Sequence, residues 1–259
     1  VYEDMLQVRI EEQSLERVVR RRIDTDIVSV LFTSGSTGIP KGVIAPHRFL
    51  VNYMEWAAGY FGLDETQVRG SQAPLYFAIG AYIDVYSVLK TGGTLDLIPQ
   101  NRFMFPQKLM TYLAEAGINT ILWVPSLLRT VADFGGLSAE CLPELRKIFF
   151  CGEPMPMRQL NAWRKAFPKA DFTNLYGSTE LTMAAYYPVR RTFADTEILP
   201  VGYPCPNTDI LLLNHENQQA LIDEVGEICV RGTGMAAGYY NDPERTSKAF
   251  VQNPLQTAY

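Results

Sequence analysis

Between residues 71 and 175, short apolar runs alternate with longer stretches whose apolar residues recur at helical spacing, and few folds accept that alternation. Strands are expected at 71–76, 94–98, 119–124, 145–151 and 171–175, and helices at 81–90, at 105–116, onward from Pro125, and at 157–167. A strand separated from the next by about 10–15 helical residues does not return as a hairpin; it crosses over and runs parallel. The pattern therefore predicts an α/β fold, a mainly parallel sheet with helices on both faces. Local punctuation agrees: Thr91-Gly92-Gly93 supplies a helix C-cap, Gly117 stops the next helix, and Pro125 suits a first helical turn. Upstream, residues 2–22 read as a charged surface helix carrying Leu6, Ile10, Leu15, Val18 and Val19. Residues 47–60 read as a helix with Phe49, Leu50, Tyr53 and Met54. After Tyr187 the pattern changes to strands at 209–213 and 227–231, joined by a polar turn at 214–219. A boundary near Pro188 divides the chain into an α/β part, 1–187, and the start of a small β-rich part, 188–259.

Bulk properties exclude several classes. A net charge of -5 and a pI near 5.2 oppose a nucleic-acid partner. No apolar run approaches the roughly 20 residues of a membrane span, and no signal peptide is visible, so a cytoplasmic chain without membrane contact is expected. Cys141, Cys151, Cys205 and Cys229 form no C-x-x-C and read as reduced thiols. With only His47 and His215 present, a His-rich metal site is excluded and a Ser–His pair is disfavoured.

Residues 27–42 read I-V-S-V-L-F-T-S-G-S-T-G-I-P-K-G. An apolar run at 28–32 suits a buried strand; Thr33, Ser34, Gly35, Ser36, Thr37 and Gly38 follow it. Glycines let the backbone turn tightly with its N–H groups inward, the hydroxyls add donors, and Lys41 adds a mobile positive charge. That set suits a phosphate, and it equally suits an ordinary turn after a strand. It is not the Walker pattern, which needs Ser or Thr where this chain has Gly42. Residues 174–180 read N-L-Y-G-S-T-E directly after a strand, at the edge where open α/β sheets place ligands. Tyr176 offers a stacking face, Gly177 a tight turn, Ser178 and Thr179 donors, and Glu180 a metal-capable carboxylate. A structural turn would use the same residues.

With C-G-E-P at 151–154 and G-E-I-C-V-R-G-T-G-M-A-A-G-Y-Y-N-D-P-E-R-T-S-K-A-F at 226–250, these strings resemble, in order, the motifs of adenylate-forming enzymes. That superfamily comprises acyl-CoA synthetases, luciferases and the adenylation domains of nonribosomal peptide synthetases, and the last are the nearest match. The resemblance spans residues 30–250 and implies part of the large N-terminal core of an adenylation domain, with ATP and Mg²⁺ as cofactors. By that resemblance Thr33 to Gly38 and Lys41 hold phosphates, Tyr176 stacks on adenine, the Asn174 backbone faces the base, and Gly152 and Glu153 lie beside it. Gly177 and Ser178 complete the nucleotide contacts. Thr179 touches the phosphate or the acyl carboxylate, and Glu180 holds the metal. Lys41, Thr179 and Glu180 are the expected catalytic residues. A single Glu suffices because Mg²⁺ commonly takes one or two carboxylates plus substrate phosphates. The 226–250 run is expected to build the β-rich part. The family also has an N-terminal subdomain, a later T-G-D whose Asp binds ribose, and a C-terminal domain with a catalytic Lys. None of these is seen here, so the chain is expected to be a piece of a larger enzyme whose other subdomains partner it.

In amino-acid-activating members, F-D-x-S precedes a helix and its Asp pairs with the substrate ammonium. Aligned through Asp84, Tyr86 and T-G-G-T-L at 91–95, that segment is Ala78-Ile79-Gly80-Ala81, with Ile79 at the Asp position. A slip of register that gives the role to Asp84 is the alternative. The same carry-over lines an acyl pocket with Ile79, Gly80, Ile83, Leu122, Phe149, Cys151, Leu175 and Met183, none of them charged. An ammonium left unpaired there would cost several kcal/mol. The expected substrate is thus a small carboxylic acid without an α-amine, an aliphatic 2-oxo acid first, then a 2-hydroxy, aryl or medium acyl acid. The implied reaction is attack of the carboxylate on the ATP α-phosphorus, giving acyl-AMP and pyrophosphate. Transfer to a carrier protein's phosphopantetheine thiol follows, in nonribosomal peptide or depsipeptide synthesis. A free-standing acyl- or aryl-CoA ligase and a non-catalytic scaffold compete with this reading.

Overall fold

The computed structural model describes residues 2–5, 7–34, 39–134 and 136–256. An antiparallel pair, β1 (Ile27–Thr33) and β2 (Lys41–Pro46), precedes the central sheet. That sheet has seven strands in the order β4-β3-β5-β6-β7-β8-β9. They are β3 (Val68–Ser71), β4 (Thr94–Leu97), β5 (Thr120–Trp123), β6 (Lys147–Cys151), β7 (Asp171–Tyr176), β8 (Ala185–Pro188) and β9 (Tyr203–Pro204). Strands β4 to β7 are parallel, and β8 and β9 close the edge antiparallel.

Side chains alternate along a strand, so each strand feeds two cores. Ile121, Trp123, Ile148, Phe150 and Phe172 pack on one face with α5 (Pro106–Glu115), α6 (Pro125–Phe134) and α7 (Met157–Ala166). Leu122, Phe149, Cys151 and Leu175 pack on the other face, against α3 (His47–Phe61) and a π-helical turn at Ile79–Val85 that runs into α4 (Tyr86–Thr91). The link from β3 to β4 covers one face while later links cover the other. The strand order therefore reverses between β3 and β5, the kind of place where open α/β sheets bind ligands.

Several expected elements differ. The strand placed at 71–76 runs instead over Val68–Ser71. Leu75, Tyr76 and Phe77, apolar in sequence, are exposed, whereas Arg69 and Ser71 are buried. Both of these polar side chains bond to Asp84, which is why a strand interior carries them. The helix expected from residue 81 begins earlier, at the π turn. In place of one helix over 2–22 there are two, α1 (Tyr2–Met5) and α2 (Glu12–Arg21), and α2 buries nothing; Leu6 lies outside the described residues. The run at 28–32 belongs to the separate β1–β2 sheet and is half-buried, with Phe32 exposed. Strand β2 was not anticipated. Past Pro188, β9 still pairs with β8, and the hairpin of β10 (Thr208–Leu213) and β11 (Glu227–Gly232) forms a sheet of its own. Among the described residues no helix is long and apolar enough to cross a membrane.

Candidate active site

Three distant segments meet at the carboxyl edge of β7. Thr33 ends β1 and faces Lys41, which begins β2. The intervening Gly35, Ser36, Thr37 and Gly38 lie outside the described residues. Lys41 Nζ donates to Glu180 Oε1 at 2.6 Å and to the Tyr239 hydroxyl at 2.9 Å. The Tyr239 hydroxyl in turn donates to Glu180 Oε1 at 2.8 Å. Backbone bonds hold this arrangement. Ile44 N donates to Gly238 O, Ala237 N to Ile44 O, Tyr240 N to Gly42 O, and Ala236 N to Glu180 O, all at 2.7–3.0 Å. The 226–250 run, expected only to build the β-rich part, thus splints the β1–β2 hairpin to the Tyr-Gly-Ser-Thr-Glu corner. It also delivers Tyr239, a residue that sequence reasoning missed. No local spacing announces a partner 198 residues from Lys41.

Burial works against the Lys41 charge, but its hydrogen bonds to Glu180 and Tyr239 outweigh it and hold the ammonium pKa above the ordinary 10.5. Burial also works against the Glu180 carboxylate, and the bonds from Lys41 and Tyr239 outweigh it, holding the pKa below 4.5. The pair therefore contributes its full stability between pH 4.5 and 10.5. That contribution is lost as pH falls through the lowered Glu180 value, and again as pH rises through the raised Lys41 value. Glu180→Gln is expected to lower stability near neutral pH by about 1.5–3 kcal/mol. The deficit should shrink below pH 4.5, as followed by urea unfolding across the acid range; a deficit constant with pH would contradict the assignment.

The corner itself is tightly turned. A Cβ on Gly177 would lie 2.1 Å from the Thr182 carbonyl oxygen, so only glycine lets the chain fold back there. Thr182 takes a left-handed φ of 52°, unusual for a β-branched residue, and its buried hydroxyl has no partner. The Thr33 hydroxyl is likewise buried and unpartnered. Ser178 Oγ accepts from Glu180 N, and Tyr176 and Thr179 are half-buried beside them. The Asn174 side chain donates to Pro200 O. Gly152 follows β6 in a left-handed conformation. Glu153 is engaged elsewhere: it accepts from Ser126 N at 2.9 Å and Ser126 Oγ at 3.2 Å, capping the first turn of α6. Among the described residues no three His, Cys, Asp or Glu side chains cluster as a metal site. A hard cation at Glu180 would therefore complete its shell with ligand oxygens and water.

The expected pocket residues Ile83, Leu122, Phe149, Cys151, Leu175 and Met183 do come together, in one buried cluster with Ile79 at its margin. Gly80 is buried too, but for another reason: a Cβ there would sit 2.5 Å from the Pro74 carbonyl oxygen. A charged side chain also approaches this cluster. Arg69, 2% exposed, borders the small void beside Leu122, Phe149 and Leu175. Arg69 Nη1 donates to Asp84 Oδ1 at 2.8 Å and Ser71 Oγ to Asp84 Oδ2 at 2.6 Å. Burial raises the Asp84 pKa against the pull of Arg69 and Ser71. The π turn also bears on register, because it holds one residue more than an α turn. Counting back from residues 91–95 puts Ile79 at the family's Asp position; counting through an α-helical turn puts Ala78 there. Neither residue is charged.

The profile of the AMP-binding enzyme family matches residues 3–240. A D-alanine–D-alanyl carrier protein ligase of Bacillus cytotoxicus is 35% identical over 238 residues, covering 91% of this chain and 47% of that protein. The crystal structure of CmiS6 superposes with a TM-score of 0.82 at 30% identity, covering 91% of this chain and 56% of that one. The nonribosomal peptide synthetase FmoA3 superposes with a TM-score of 0.81 at 24% identity over 90% of this chain and 25% of its own, a likeness of fold. The chain spans about half the length of the curated relatives it matches. Aligned to that profile along most of its length, the chain belongs to the AMP-binding enzyme family.

Proposed function

We propose that this chain provides the nucleotide- and acyl-binding core of an acid–AMP ligase that charges a carrier protein in nonribosomal peptide or depsipeptide synthesis. The observation that carries the reading is the 2.6 Å contact between Lys41 and Glu180. It puts a cation and a metal-capable carboxylate at the end of β7, next to an apolar cluster. In this reading the carboxylate of an acid attacks the α-phosphorus of ATP, forming acyl-AMP and releasing pyrophosphate. Lys41, the orphaned Thr33 hydroxyl and the donors of Ser34 to Thr37 hold the outer phosphates. Tyr176 stacks on the base, and Asn174, Gly152, Glu153, Gly177 and Ser178 line its surroundings. Thr179 positions phosphate or acyl carboxylate, and Glu180 holds Mg²⁺. When bound there, that ion would supply charge neutralisation to the phosphates. Lys41 and Glu180 satisfy one another, so neither is an unpaired half-buried charge. A carrier-protein acceptor is supported by the relative named as a carrier protein ligase, and the phosphopantetheine thiol is the arm this reading gives it.

The D-alanine in that relative's name is not carried over. An α-ammonium would find Ala78 or Ile79 where a carboxylate is required, and Asp84 is already engaged by Arg69 and Ser71 in the core. The reading is an apolar acid lacking the α-amine, an aliphatic 2-oxo acid first. Acid-dependent pyrophosphate exchange on the full-length parent tests it. Exchange with 4-methyl-2-oxopentanoate should exceed that with leucine; the reverse order sinks the substrate assignment. Ile79→Asp and Ala78→Asp are both to be made, and one of them should move the ratio of rates toward leucine by about 10–100-fold.

A further inference from the structure

The Tyr239 hydroxyl joins the two charges of the corner. It accepts from Lys41 Nζ at 2.9 Å and donates to Glu180 Oε1 at 2.8 Å, the same oxygen that Lys41 reaches at 2.6 Å. A hydroxyl both donates and accepts, so it can satisfy an ammonium and a carboxylate at once. The phenol is held from behind. Tyr239 is buried, its ring meets that of Phe250 edge to face with centroids 5.5 Å apart, and its N–H donates to Thr246 Oγ1 at 2.9 Å. Thr246 Oγ1 in turn donates to Asp242 O at 2.7 Å. Tyr239 also bridges to Val43 of β2, two residues beyond Lys41. The nearby charges of α8 (Pro243–Ala249) and its N-cap are engaged with one another, Arg245 Nε lying 3.1 Å from Asp242 Oδ2. Burial holds the phenol pKa above 10.0, so near neutral pH the hydroxyl keeps the proton it donates.

An ammonium has three N–H donors, and the contacts to Glu180 and Tyr239 use two of them. Lys41 can therefore meet a phosphate oxygen without leaving the phenol. Glu180 depends on Lys41 for one of its two donors at Oε1, and the other comes from a side chain that no phosphate competes for. We infer that Tyr239 is a positioning residue of the adenylation step: its hydroxyl keeps the Glu180 carboxylate in place while Lys41 serves the phosphates, and it steers the ammonium as a second acceptor. Tyr239 acts through Lys41 and Glu180 and touches no reacting atom. If packing against Phe250 were all it supplied, phenylalanine would serve as well. This inference rests on the acid–AMP ligase reading and adds a residue to its machinery.

Tyr239→Phe tests this, since it keeps the ring and removes only the hydroxyl. Pyrophosphate exchange by the full-length parent and the variant is measured with the 2-oxo, 2-hydroxy and 2-amino forms of 4-methylpentanoate. With the acid the parent accepts best, Tyr239→Phe should lower kcat by about 10-fold, the loss of one hydrogen bond to a charged group, and leave the KM for the acid within about 2-fold. The ligand-free protein gives a second reading that needs no turnover. In urea unfolding, Tyr239→Phe should lower the folding equilibrium constant by about 10-fold, but by only about 2-fold when Glu180→Ala is already present, because the hydroxyl has then lost its acceptor. An unchanged kcat overturns the inference, as do equal losses of stability in the two backgrounds. The kcat of Tyr239→Phe decides the matter if the double variant fails to fold. No exchange by the parent with any of the acids would instead reject the ligase reading, and this role with it; exchange that Tyr239→Phe leaves intact rejects only the role of Tyr239.

Discussion

Lys41→Ala in the full-length parent is expected to lower acid-dependent pyrophosphate exchange by about 10²–10³-fold, the usual loss when one preorganised group facing developing charge is removed. The geometry says why the effect should be large. Lys41 is the cation paired to Glu180 at 2.6 Å, and β2 fixes its position through the splint of residues 236–240. A Lys displaced to another site would not inherit that support. Glu180→Ala should cost exchange by a similar factor, and raising Mg²⁺ should partly offset Glu180→Ala without helping Lys41→Ala. Melting temperatures of both variants check that the loss is chemical. Exchange rates equal to the parent's would remove both residues from the proposed mechanism.

Asp84→Ala is expected to be the most destabilising single change, by about 3–5 kcal/mol, because it strands the Arg69 guanidinium in the core. For a domain of this size that corresponds to a melting temperature lower by roughly 6–20 °C. Asp84 is fully buried and Arg69 is 2% exposed, so the stranded charge lies away from bulk solvent and salt. Arg69→Met combined with Asp84→Leu should cost far less than Asp84→Ala, since no charge then remains to be desolvated. Urea unfolding of the two variants and the parent measures the cycle. A small loss for Asp84→Ala would mean that the guanidinium reaches solvent.

The difficulty of β3 and the ease of β5 to β7 have the same physical origin. Ile121, Leu122, Phe149, Phe150 and Leu175 are buried on one face of the sheet or the other and are apolar, so their strands stand out as apolar runs. Arg69 and Ser71 are just as buried but polar, because each bonds to Asp84, 13–15 positions away. No local pattern marks a buried residue whose partner lies on the next helix. The apolar but exposed Leu75, Tyr76 and Phe77 then drew the strand assignment downstream. The π turn escaped notice for a related reason, since an extra residue in a helix leaves the apolar spacing almost unchanged over so short a stretch.

What the amino-acid order determined alone was the alternation of strands and helices, hence a parallel sheet covered on both faces. It also set the small hydroxyl- and glycine-rich strings that follow two strands. Those features arise from neighbours along the chain, through backbone sterics and the period of burial. Only the tertiary structure decided that Lys41, Glu180 and Tyr239 share one oxygen, that Arg69 borders the apolar cluster, and that Asp84 is already taken. Each of those facts depends on side chains distant in sequence reaching hydrogen-bond distance, and only the packed fold brings them there.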